Sequence, residues 1–168
     1  MKKTLLTKGF TMVETLVAVA ILMIAIAGPL TIAQKGLTAA IYARDQVTAS
    51  FLAQDAMEYI KNVRDYNLEN NPTQWLLNLD GCTSASKCGI DTTTGSIGSN
   101  FDLYHDGNGY KSSGGIRSQF IRSFYIDTAN TSSNNQGNEA TVVVQVSWTN
   151  GTIANAVTFE NQIFNKQR

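Results

Sequence analysis

From Thr15 to Ala33 the chain carries no charged side chain, and most of that run is Leu, Ile, Val, Met or Ala. At about 1.5 Å per residue, a helix of this length crosses a hydrocarbon core of about 30 Å. A short leader, Met1 to Lys8, precedes it, with Lys2, Lys3 and Lys8 and no acid. The positive-inside rule keeps such a leader in the cytoplasm and sends the remainder across the membrane. One acid stands beside the run, Glu14. A carboxylate at the centre of a membrane helix costs about 2.5–3.5 kcal/mol on insertion scales. Glu14 lies near the helix end, where the cost is lower, yet it still asks for a partner.

The spacing offers one. A cut between Gly9 and Phe10 gives Phe10 a free α-amine, and Phe10 and Glu14 are then i and i+4 at a helix N-terminus. The macrodipole there favours a carboxylate. Amine and acid can pair within one chain or between two chains staggered along a bundle. Thr11 and Glu14 also have the T-x-x-E form of a capping box.

Lys8-Gly9-Phe10-Thr11-Met12-Val13-Glu14, followed by the apolar helix, resembles the class III signal of type IV pilins and type II secretion pseudopilins. The resemblance covers about the first third of the chain. It implies that a membrane prepilin peptidase cuts after Gly9, that the same enzyme N-methylates Phe10, and that Glu14 docks the subunit into a filament. A rival uses the same residues. A basic start, an apolar core and Ala25-Ile26-Ala27 before Gly28 also read as an ordinary secretory signal. Glu14 interrupts that core to no purpose, and a helical pattern continues past the rival cut site.

Pro29 removes one backbone hydrogen bond and crowds the carbonyl of Ala25. It reads either as a mild kink or as a point where the helix loosens in a filament. Beyond it Leu30, Ala33, Leu37, Ala40, Ile41, Val47, Phe51, Ala56, Tyr59, Ile60 and Val63 recur mostly at spacings of three or four. Glu58–Lys61 and Lys61–Asp65 have ion-pair spacing. The expectation is one helix from Phe10 to about Asp65. Residues 10–33 form its transmembrane and assembly part. Residues 34–69 carry one amphipathic stripe that packs on a globular β head, residues 70–168.

In the head, Asn70-Asn71-Pro72 stops the helix and Thr73 to Leu79 gives a turn of helix. Asp80 to about Asn100 reads as irregular and exposed. Cys82 and Cys88 lie in that connection. Outside the cytoplasm they form a small disulfide loop or remain two free thiols. With His105 they fall short of a structural zinc site. Phe101 to Tyr104 is a short strand before a glycine-rich turn. Asp106 and Asn108 supply too few ligands, with no closing Glu, for a calcium loop. Three antiparallel strands close the chain: Gln119–Asp127, Glu139–Trp148 and Ile153–Phe164. Asn150-Gly151 is a hairpin signal between the last two. Val142, Val144, Val146 and Trp148 share one face. Asn130-Thr131-Ser132 and Asn150-Gly151-Thr152 fit the glycosylation sequon, a pattern common by chance in an Asn- and Thr-rich chain. The fold class is α+β, with a long N-terminal helix packed on a small antiparallel sheet.

Lys and Arg together number 13, as do Asp and Glu. That balance gives no electrostatic reason to expect bulk nucleic-acid binding. No nucleophile elbow, P-loop, metal cluster or paired-acid site is present in the sequence, so neither an enzyme, a bound nucleotide nor a cofactor is expected. The expected protein is a single-pass inner-membrane subunit with an extracytoplasmic head. It is processed by prepilin peptidase and assembles with other pilin or pseudopilin subunits. The irregular head favours a minor pilin or a pseudopilin. The alternative is a signal-anchored or secreted binding protein with a β head.

Overall fold

The computed structural model describes residues 9–128 and 137–166. The leader Met1 to Lys8 and the Asn130 sequon lie outside them. The chain divides into two compact units, residues 1–43 and 44–168.

One helix, α1 (Met12–Asn70), carries the apolar run and enters the second unit. It starts two residues later than expected, because Thr11 serves as its N-cap. The Glu14 N–H donates to Thr11 Oγ1 at 3.3 Å, which satisfies one of the free donors of a first turn. α1 runs unbroken through Pro29. Beside that proline, Thr31 Oγ1 donates to the Ala27 carbonyl at 2.9 Å, the kind of side-chain support that lets membrane helices hold a proline. Every described residue of the first unit is exposed. α1 ends where Asn70-Asn71-Pro72 predicts. There the buried Asn67 donates to the carbonyls of Trp75 (3.3 Å) and Leu77 (2.9 Å), tying the helix end to the following turn. That turn is a short 3₁₀ helix, Pro72–Gln74.

Among the described residues seven strands follow: β1 (Gly89–Ile90), β2 (Ile97–Gly98), β3 (Asp102–His105), β4 (Tyr110–Lys111), β5 (Ile116–Asp127), β6 (Glu139–Asn150) and β7 (Ile153–Phe164). The last five make one antiparallel sheet in the order β4-β3-β5-β6-β7. The sheet is two strands wider than the three-stranded expectation. Val142, Val144, Val146 and Trp148 are all buried. Their cross-strand partners include Ile126 and Phe124 on β5 and Phe159 and Val157 on β7. They share one core with Ala49, Ala53, Ala56 and Ile60 of α1. Alanine at three of those helix positions lets the backbone approach the sheet closely, and the branched strand residues fill the remaining space.

The β6–β7 turn differs in detail from the sequence signal. Asn150 pairs with Ile153, so the loop is Gly151-Thr152. Gly151 has φ 62°, and Thr152 is not among the positive-φ residues. Positive φ at the first loop position alone is the II′ pattern, which asks for glycine there.

The Asp80–Asn100 connection is not the irregular, exposed stretch expected. β1 and β2 pair within it, and Cys82, Ile90 and Asp91 are buried. Cys82 and Cys88 are joined by a disulfide, with Cα atoms 5.3 Å apart. The segment they close lies along β5. The Ile126 N–H donates to the Cys82 carbonyl at 2.7 Å, and Cys88 and Phe124 exchange two backbone bonds of 2.8 and 2.9 Å. It thereby covers part of an edge that would otherwise present unpaired backbone groups. Gly89 is required by close approach, because a Cβ there would stand 1.8 Å from the Asn100 carbonyl oxygen.

The amphipathic stripe also divides. Ala56 and Ile60 face the core, whereas Val47 and Phe51 are 55% and 66% exposed. Asp65 pairs with Arg64 at 2.8 Å, rather than with Lys61.

Candidate processing and assembly site

Gly9, Phe10 and Thr11 precede α1 in non-helical, exposed backbone. The Gly9–Phe10 peptide bond therefore lies free of the helical hydrogen-bond ladder, one residue before the cap. A Cβ added to Gly9 would meet nothing within 4 Å. Among the described residues nothing demands glycine at that position. The Phe10 side chain is 77% exposed.

Glu14 stands in the first turn of α1. Its backbone is fixed by the Thr11 cap, and Thr15 N–H donates to the Thr11 carbonyl at 3.2 Å. Among the described residues no cation pairs with the Glu14 carboxylate, which is exposed. A new α-amine on Phe10 would arise one helical turn away, at the end where the dipole already favours the acid.

Two of the buried polar residues of the head form centres that no local sequence pattern marks. The first is Arg122, 1% exposed on β5. It faces the core because its partner Val146 does. Its guanidinium donates to the Leu52 carbonyl (3.0 Å), Asp55 Oδ2 (2.9 Å) and the Ile90 carbonyl (2.8 Å). Thr92 Oγ1 donates to the same Asp55 oxygen at 2.6 Å. Burial pushes the Arg122 pKa below the usual guanidinium value, and Asp55 opposes that shift. The second is Asp91, 2% exposed. Its Oδ1 accepts from the Thr93 and Thr94 N–H groups at 2.9 and 3.1 Å. Its Oδ2 accepts from Ser112 N–H and Oγ at 2.9 and 2.8 Å. Burial raises its pKa, but these donors outweigh it and hold the carboxyl at about 2. Both centres join segments distant in sequence, and a periodicity search cannot find them.

The acids of the β3–β4 region have partners in the head. Asp102 accepts from Arg117 at 2.8 Å, and Asp106 holds Lys111 together with the Asn108 and Gly109 N–H groups. His105 packs edge-on against Tyr110, with centroids 5.0 Å apart.

An apolar N-terminal helix long enough to cross a membrane, followed by an antiparallel β head, defines a pilin-like α+β architecture. Residues 6–28 match the family described as the prokaryotic N-terminal methylation motif. The chain thus carries the prepilin signal of type IV pilins and pseudopilins, which marks a precursor of the type that prepilin peptidase processes. The match spans Gly9, Phe10, Glu14 and most of the apolar run, and it includes none of the head. No curated protein matches the chain, and no solved structure does.

Proposed function

We propose that this chain is a structural subunit, a minor pilin or pseudopilin, that assembles through the first part of α1 into a type IV pilus or type II secretion pseudopilus. The leader stays in the cytoplasm, the apolar run crosses the inner membrane and the head lies outside. Prepilin peptidase cuts between Gly9 and Phe10 and methylates the new Phe10 amine. That amine, from the same chain or a neighbour, neutralises Glu14 once the helix leaves lipid for the filament core. Val13 to Ala27 exchange contact with lipid for contact with other subunits, so their burial is kept. The energy for extraction comes from a separate ATPase.

The observation that carries this reading is the register of the motif with the helix start. The glycine, the new terminus, the cap and the acid fall in order within one turn of the first helical residue, Met12. Mass spectrometry of the mature N-terminus tests it. A chain beginning at methylated Phe10 is expected. A start at Gly28 points to ordinary secretion, and a retained Met1 to a simple anchor. Either would overturn the reading.

A further inference from the structure

The sheet ends on β7, and among the described residues no strand pairs with its outer side. Its 12 residues run beside β6 without a register shift. They include no proline, no lysine and a single charged side chain, Glu160. Long, regular edges are normally blunted by prolines, bulges, lysines or a covering segment. The other side of the sheet follows that rule. β4 has only 2 residues, and the N–H groups of Phe124 and Ile126 on β5 are taken by the disulfide loop. β7 has no such protection.

Hairpin geometry fixes which backbone groups of β7 are free. Asn150 and Ile153 flank a two-residue loop, so they form a hydrogen-bonded pair, and bonding alternates from there. Ile153, Asn155, Val157, Phe159, Asn161 and Ile163 therefore bond to β6. Ala154, Ala156, Thr158, Glu160 and Gln162 turn their N–H and C=O groups to the open side, and all five are exposed. Two bonds at the strand end agree with this alternation. The Asn165 N–H donates to the Asn138 carbonyl at 2.7 Å, and the Phe164 carbonyl, on the open side, accepts from Arg64 at 3.1 Å. The side chains that β7 turns to the core face are incompletely covered: Val157 and Phe159 are half-buried and Ile153 is 65% exposed. Along the strand those side chains read Ile, Asn, Val, Phe, Asn, Ile. The series has the same character in either direction, and its centre is Thr158.

We propose that β7 pairs antiparallel with β7 of a second copy of this chain, across a two-fold axis at Thr158. Thr158 then lies opposite the same residue of the second copy, Ala156 opposite Glu160, and Ala154 opposite Gln162. These are the residues with free backbone groups, so each pair exchanges N–H···O bonds in both directions. On the core face Val157 meets Phe159, Ile153 meets Ile163, and Asn155 meets Asn161, where the two amides can bond. Glu160 faces alanine, so no like charges meet. A register centred on Val157 would instead set Asn155 against Phe159 and Ile153 against Asn161. The match of like with like at one register argues for a copy of the chain over an unrelated strand. The contact is isologous and closes as a dimer. Residues 44–70 of α1 from the two copies lie on the same side of the joined sheet and run in opposite directions. The pairing uses only the head unit and stands apart from the assembly reading.

The test uses the full chain in detergent, with a short thiol-reactive crosslinker and mass mapping of the linked residue. Both native cysteines are in the disulfide, so an introduced cysteine is the reactive one. Thr158→Cys should give a crosslinked dimer, because Cα atoms of a hydrogen-bonded pair are about 5.5 Å apart. Ala154→Cys alone should not, since the same residue of the second copy lies about 26 Å away at about 3.3 Å per strand residue. Ala154→Cys combined with Gln162→Cys should link again. In sedimentation, Thr158→Lys should lower dimer formation at least tenfold by setting like charges face to face. Thr158→Pro should do the same by removing a free edge N–H, a change an edge strand tolerates. Both should leave the urea unfolding of the head unchanged, because Thr158 is exposed. Absence of the Thr158→Cys link, equal linking by Ala154→Cys alone, or unchanged dimerisation of Thr158→Lys overturns the pairing. A mature N-terminus at Gly28 would remove the assembly reading and leave this result unaffected.

Discussion

Arg122 reaches across the core from β5 and donates to Asp55 of α1 at 2.9 Å. The two residues lie 67 positions apart in sequence. Two further bonds, to the carbonyls of Leu52 and Ile90, make one guanidinium the junction of helix, sheet and the β1–β2 hairpin. Removing that side chain takes one donor from each of the Leu52 and Ile90 carbonyls and from Asp55, and opens a void. Arg122→Ala should therefore destabilise the head by about 3–5 kcal/mol. Arg122→Met refills the volume with apolar atoms and should cost less, since an apolar replacement of similar size often offsets a lost buried pair. Urea unfolding followed by fluorescence of the buried Trp75 and Trp148 measures both. Equal losses for the two variants would show that the polar junction, not packing, dominates.

Asp91 links the stability of the same region to pH. Its carboxyl titrates at about 2, against an ordinary value of 3.8. A carboxyl whose pKa is depressed by folding stabilises the native state above its unfolded pKa, and loses that contribution as pH falls through its folded pKa. The gap corresponds to about 2.5 kcal/mol, present in full above about pH 4 and gone near pH 2. Asp91→Asn should remove most of it at pH 7 and flatten the acid limb between those limits. Parallel denaturation curves at pH 7 and pH 2.5 read the difference. An unchanged limb in Asp91→Asn would assign acid sensitivity to another group.

What was legible in the sequence follows from range. The helix and the last three strands rest on local signals: an uncharged apolar run, alternation in Val142, Val144 and Val146, and Asn-Pro and Asn-Gly punctuation. The processing signal is a local string as well. Asp91 and Arg122 act through partners 21 and up to 70 residues away, and no spacing rule encodes those. The single amphipathic stripe differs from the buried side of α1 for a related reason. Residues at spacings of three and four drift around a helix of 3.6 residues per turn. Val47 and Phe51 therefore fit the spacing yet lie exposed, while Ala49, Leu52, Ala53 and Ala56 form the buried side.

The disulfide closes a segment with a sequence separation of 6 that covers part of the β5 edge. Chain-entropy arguments give about 2 kcal/mol for a loop this short. Cys82→Ser with Cys88→Ser should lower head stability by about that amount. It should also speed amide exchange at Phe124 and Ile126, whose N–H groups donate to Cys88 and Cys82. Exchange mass spectrometry at those two strand positions separates this from a global effect. Equal acceleration in β6 would mean that the loop supports the whole sheet rather than one edge.

Gly9 and Glu14 separate maturation from assembly. A Cβ at Gly9 meets nothing within 4 Å, and the residue precedes the Thr11 cap, so Gly9→Val should leave the unfolding of the head unchanged. Its effect should fall on the cut, with accumulation of a precursor that retains its nine-residue leader and no methylated Phe10. Glu14→Ala keeps Thr11 Oγ1 on the residue-14 N–H, because that bond uses the backbone, so α1 should still start at Met12 and the cut should proceed. What it removes is the acid one turn from the new terminus. Filament incorporation should fall at least tenfold while the mature N-terminus is still found at Phe10, consistent with a charge pair desolvated in a protein core. Immunoblots of whole cells and sheared filaments score both variants together. Normal maturation of Gly9→Val would refute the leader boundary, and full incorporation of Glu14→Ala would refute the amine–carboxylate pairing.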